Sequence, residues 1–182
     1  MKRATLPIVL VAATVAALAA VPRVSRAALE AMEISFDKRV RTISADFPFE
    51  LLGNTRGVYL EGYGAVFTAE VNLSQSTNLS PFQLTIPKEY VAKLHARKLE
   101  RVPVLKKQMK EAMLAMAASL DGVPANERVV LGVTLFYYTK WEDMSGLPSQ
   151  IVMQAERQKL VDVQLGRANR SALDTIVHVE EL

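Results

Sequence analysis

The sequence predicts a single α+β domain: an antiparallel or mixed sheet of about five strands packed against two or three helices, behind an N-terminal signal peptide. Three observations lead there. Segments with period-two hydrophobicity are joined largely by turn-rich links. Segments with helical periodicity come in blocks and do not alternate regularly with the strands. Residues 28–182 number about 155, which is enough for one core and matches one ordinary domain.

The N-terminus opens "MKR", a short positive region, and then runs without a charge from Ala4 to Pro22. A positive start followed by an apolar stretch is the pattern of an export signal. Two small-x-small sites fit its end. Ser25-Arg26-Ala27 would be cut before Ala28, and Ala17-Leu18-Ala19 before Ala20. The first is favoured, because the second leaves Pro22 close behind the cut. The expected division is therefore 1–27 signal peptide and 28–182 exported domain. The alternative is an uncleaved anchor over residues 4–22, since that 19-residue run is near the lower limit for a membrane span. The chain has no cysteine, which excludes disulfides, thiol chemistry and a lipoprotein cysteine.

The whole chain has 22 Lys and Arg against 19 Asp and Glu, a net +3. Four of those cations, Lys2, Arg3, Arg23 and Arg26, precede Ala28, with no acid among them. Without them 18 bases face 19 acids, a net −1. The basic balance thus belongs to the targeting segment, and a nucleic-acid partner is not expected.

Along the domain, Leu29, Met32, Phe36, Val40 and Ile43 have helical spacing and predict a helix over 28–44. A connector with Pro48, Gly53 and Gly57 follows. The stretch "GVYLEGYGAVFTAEVNL" then holds Gly57, Gly62 and Gly64 in a strand-like run. From Tyr63 on, Ala65, Phe67, Ala69, Val71 and Leu73 alternate with more polar neighbours, which predicts a strand. A phosphate cradle would need glycines leading into a helix, usually with a lysine and a hydroxyl. Here Gly64 leads into a strand. The glycines are read as a bend: either a hairpin pairing "GVYL" with "AVFT", or one strand bent at the glycines.

After a turn-rich loop over 74–87, Pro87 marks a helix start, and helical periodicity runs from 87 to 120 through Val91, His95, Leu99, Val102, Leu105, Met109, Met113, Met116 and Leu120. Pro103 predicts a kink there or two helices split near Val102. "NERVVLGVTLFYYTKWED" is apolar on both faces and predicts a central strand. "QIVMQA" predicts a second strand, in a hairpin whose loop is "WEDMSGLPS". "ERQKLVDVQLG" predicts a helix, and "DTIVHVEEL" a last strand.

Catalytic motifs are weak. The two histidines, His95 and His178, are far apart in sequence, and no G-x-S-x-G or H-E-x-x-H motif occurs. No cofactor or metal site is expected. A hydrolase would have to assemble its site from distant residues among His95, His178, Ser145, Glu142 and Asp143. His95 alone reads as a core-edge residue, and the helical methionines read as core. Residues 88–110 carry a local net charge of +6, suiting a solvated face or an anionic partner. "FYYTKW" clusters aromatics at a strand end, and Tyr and Trp suit recognition because they pair apolar area with a polar tip. The candidate partner surface is accordingly Tyr59, Tyr63, Tyr138, Trp141, Lys93, Arg97 and Arg101.

Taken together, these features predict an exported, non-catalytic binding or assembly protein of a bacterial cell envelope, in the periplasm or outside the cell. Its partner would be a protein or an envelope component. The bacterial assignment follows from the missing cysteines, which secreted eukaryotic domains usually carry. The alternatives are an exported hydrolase and a membrane-tethered subunit of an envelope complex, membrane contact requiring that residues 1–27 be kept.

Overall fold

The structure is a computed structural model and describes residues 24–43, 48–74 and 86–182. The apolar run of the expected signal peptide and the upstream candidate cleavage site lie outside the described residues.

Helix α1 spans Arg26–Arg41, beginning two residues before the expected start. Ser25 caps it: its hydroxyl accepts from the Ala28 amide at 3.1 Å, satisfying one of the orphan donors of the first turn. Lys38, Arg39 and Arg41 occupy the last turn, where positive charge complements the helix dipole. Strands β1 (Glu50–Leu51), β2 (Arg56–Leu60) and β3 (Gly64–Asn72) follow. Helix α2 (Lys88–Ser119) leads to β4 (Arg128–Leu135) and β5 (Gln150–Glu156). Helix α3 (Arg157–Gln164), a 3-10 turn (Arg170–Ala172), α4 (Leu173–Ile176) and β6 (His178–Glu181) complete the chain.

The strands form one six-stranded mixed sheet. β1 and β2 both pair antiparallel with β3, β1 against its end and β2 against its start. β4 lies parallel to β3, and β5 and β6 add antiparallel beyond it. A parallel neighbour requires a long crossover, which α2 and its flanking loops supply. The hairpin version of the glycine-rich stretch is the one that forms. Gly64 has φ +138, and a Cβ there would lie 1.9 Å from the Arg128 carbonyl oxygen. Any other residue would push β4 away from β3.

Alternate residues bury one face of the sheet: Ala65, Phe67 and Val71 on β3, Val129, Leu131 and Val133 on β4, Ile151 and Met153 on β5. They share a core with Phe36 and Val40 of α1, with Leu105, Met109, Met113 and Met116 of α2, and with Leu160 of α3. On the other face a row runs through Val58, Val66, Val130, Gln154 and His178.

Helix α2 runs unbroken through Pro103, so the two-helix alternative is not what forms. Pro103 is exposed, and the Leu99 carbonyl that it leaves unpaired can turn to water. The buried stripe in the first half of α2 also differs from the expected one. It passes through Leu94, Lys98, Arg101 and Val102 instead of Val91, His95 and Leu99. Measured round the helix from buried Leu105, Leu94, Lys98 and Arg101 fall within about 40°, whereas His95 and Leu99 lie about 80° and 120° away, off the core side.

Strand β2 lies at a sheet edge, where unpaired backbone groups invite association. Helix α1 covers it with two buried acids one turn apart. Asp37 accepts from the Thr55 amide at 3.0 Å and the Thr55 hydroxyl at 2.5 Å. Glu33 accepts from the Gly57 amide at 2.7 Å. The two spacings match: four residues of helix rise about 6 Å, and two residues of strand about 6.6 Å. Arg26 completes the cover, bonding Glu33 through both terminal nitrogens at 2.7 and 2.8 Å and the Gly57 carbonyl at 3.0 Å. Glu33's carboxyl is pushed up by burial, but the bonds from Arg26 and the Gly57 amide outweigh this and hold it below its ordinary value.

Candidate functional site

The loop over 136–149 joins β4 to β5 and folds against the first half of α2. Its anchor is buried. Lys98 Nζ donates to Glu142 Oε2 at 2.5 Å, with side-chain exposures of 1% and 3%. Lys98 also lies 3.4 Å from the Phe136 carbonyl oxygen and 4.8 Å from the centre of the Tyr137 ring. Burial pushes the Lys98 ammonium down from its ordinary value, against the opposing pull of Glu142. Burial, with the charge of Glu142, pushes the Tyr137 phenol far up, and its hydroxyl donates to the Pro148 carbonyl at 2.8 Å. Tyr137 is therefore a neutral donor, not a base.

Above this anchor the loop presents aromatic rings. Tyr138 stacks on Trp141 with centroids 5.3 Å apart and planes at 15°, and Phe136 meets Tyr138 edge-on at 5.0 Å. Tyr90 of α2 lies 6.2 Å from Trp141. Tyr138 is 43% exposed. Lys93 and Arg97, three and seven residues after Tyr90, are exposed on the same side of α2. Lys93 pairs with Glu89 at 2.9 Å. Four of the seven sequence-predicted residues, Tyr138, Trp141, Lys93 and Arg97, thus flank one surface. Tyr90 joins them and was not expected.

The other three lie elsewhere. Arg101 is buried, its guanidinium 4.0 Å over the Phe49 ring. Tyr59 is half-buried at the β2 edge and donates to Glu127 at 3.2 Å; burial and that carboxylate raise its phenol. Glu127 also accepts from the Gly62 amide at 3.0 Å, holding the hairpin turn. Tyr63 is exposed beside Arg128.

The residues proposed for a hydrolase converge only in part. His95, Asp143 and Ser145 meet beside the loop, and His178 sits on β6, on the opposite sheet face from the helices. His95 is not bonded as the base that a Ser-His-acid group needs. The Ser145 hydroxyl donates to Asp143 at 2.6 Å. His95 Nε2 contacts the Ser145 carbonyl oxygen at 2.8 Å, which requires a proton on Nε2, since a carbonyl only accepts. A base must instead accept from the hydroxyl it activates. Bonds from the Ser145 hydroxyl and amide hold the Asp143 carboxyl below its ordinary range. The group reads as a loop closure: an acid-serine turn held against α2 by a histidine.

Among the described residues, no three His, Asp or Glu side chains are grouped to hold a metal ion, and no helix is long and apolar enough to cross a membrane. An open groove of about 450 Å³ lies between the start of α1 and β2, lined by Val24, Arg26, Leu29, Val58, Tyr59 and Glu61.

Sequence reasoning missed Lys98, Glu33, Asp37 and Glu127, all buried. For the three on helices the only signal was their spacing on apolar stripes: 94, 98, 101 and 105 on α2, and 29, 33, 36, 37 and 40 on α1; Glu127, in the link before β4, had none. No family model matches the chain, and neither a curated relative nor a solved structure matches it.

Proposed function

We propose that this chain is an exported binding or assembly protein of a bacterial cell envelope, and that the 136–149 loop with the adjoining side of α2 is its recognition surface. One observation carries the reading: Tyr138 lies stacked on Trp141 and is nonetheless 43% exposed, on a loop anchored by a fully buried ion pair. Rigid aromatic area with little entropy left to lose is what recognition surfaces use. The cations Lys93 and Arg97 beside it favour an anionic partner, such as an acidic envelope polymer or an acidic protein face. The hydrolase reading is weaker, because His95 is spent on the Ser145 carbonyl.

Trp141 is the chain's one tryptophan, so its emission reports on this surface. Purified peptidoglycan and vesicles of anionic phospholipid are the probes. One of them is expected to shift Trp141 emission in the wild type and not in Tyr138→Ala. No shift with either probe, or an equal shift in the variant, removes the loop as the recognition surface.

A further inference from the structure

We infer that processing on export spares Ser25 and Arg26, and that the leader peptidase hydrolyses the Ala19–Ala20 bond and not Ala27–Ala28. The inference rests on the export reading above. In either cut, water adds across one peptide bond, leaving a carboxylate on the leader and an ammonium on the domain. The two sites differ in what the domain keeps.

A cut before Ala28 would remove the Ser25 hydroxyl that caps α1. It would remove both Arg26 bonds to Glu33, whose side chain is only 7% exposed, and so leave that acid buried without its cation. It would uncover the Gly57 carbonyl at the sheet edge. It would also place a new ammonium at the N-terminus of α1, where the helix dipole disfavours positive charge. All four consequences act against the folded product. A cut before Ala20 has none of them, because it leaves Val24, Ser25 and Arg26 attached. Ala17 and Ala19 supply the small-x-small pattern. The scissile amide belongs to Ala20, so Pro22 removes no donor from it.

The test uses the full chain with its own N-terminus in an export-competent bacterium, followed by fractionation and intact mass. The exported product is expected to begin at Ala20. Ala27→Leu, at an exposed position of α1, is expected to leave the cut in place, whereas Ala19→Leu abolishes the Ala20 product. A product beginning at Ala28, or loss of processing in Ala27→Leu alone, overturns the inference while export stands. An uncut chain in the cytosol overturns the export reading and the cut with it, and an uncut chain in the membrane fraction overturns the cut alone. The physical basis has its own readout. Ser25→Ala with Arg26→Ala in the exported protein is expected to melt roughly 4 °C or more lower. An unchanged melting temperature removes the reason for sparing the two residues.

Discussion

Glu33 and Glu142 are both buried glutamates paired with a cation, yet they are held in opposite ways. At Glu33 the partner guanidinium is 56% exposed, and the carboxylate is saturated by both arginine nitrogens and a backbone amide. At Glu142 the partner ammonium is 1% exposed, and among the described residues only Oε2 is bonded while the buried Oε1 has no hydrogen-bond partner. The first site keeps half its charge in water and takes donors from the chain. The second removes both charges from water for one good contact. A buried pair of that kind gains little over an apolar pair of the same size, but losing one partner is severe. The difference teaches that the α1–β2 contact is built for stability. The α2–loop contact fixes where a loop lies.

The largest effect is expected there. Lys98→Ala strands Glu142 in the core and should lower stability by about 3–5 kcal/mol. Replacing both partners with apolar residues, Lys98→Met with Glu142→Leu, should recover most or all of that loss. Urea denaturation of Lys98→Met, Glu142→Leu and the double variant measures it as a cycle, with Lys98→Ala alongside. A double variant as unstable as Lys98→Ala alone would mean the pair contributes net stability, and the contrast with Glu33 would collapse.

At Glu33 the expected loss is smaller. Glu33→Ala leaves the Gly57 amide without its acceptor and should lower stability by about 1–3 kcal/mol at neutral pH. The dependence on pH has a definite sign. The folded carboxyl lies below its ordinary value, so its contribution is complete above the unfolded pKa of about 4.3. It is lost as pH falls through the depressed folded value. Wild type and Glu33→Gln should therefore converge on acidification. A gap that widens below pH 4 would show that the carboxylate is not the stabilised form.

The same contrast explains what the sequence could reveal. The strands, their hairpins and the long second helix follow from periodicity, since Val129, Leu131 and Val133 or Met109, Met113 and Met116 announce their buried sides by themselves. The aromatic loop was legible for the same reason: Tyr138 and Trp141 are four residues or fewer from one another in a turn-rich link. Buried charge was not. Glu33 and Asp37 look solvated until Gly57 and Thr55 are brought beside them, and Lys98 looks like one more cation of a basic helix until Glu142 folds back over it. Each such residue depends on a partner 18 to 44 positions away, and no local pattern records that distance. Arg26 stood in the sequence as part of a cleavage motif, yet its guanidinium completes the edge of the sheet.

The smallest effect separates the loop's anchor from its surface. Ser145 is exposed, and its hydroxyl bonds Asp143. Ser145→Ala should move the melting temperature by less than about 2 °C, as an exposed substitution away from the buried pair does. It should still leave a local mark. The Ser145 hydroxyl is the first cause of the low Asp143 carboxyl, ahead of the Ser145 amide and the charge of His95. Removing it should raise the Asp143 midpoint toward its ordinary value, read by NMR titration of the side-chain carboxyl. Trp141 emission should stay unchanged, because Lys98 and Glu142 hold the loop from below. If the emission shifts with Ser145→Ala, the acid-serine turn shares in positioning the aromatic surface, and the buried pair is not its sole support.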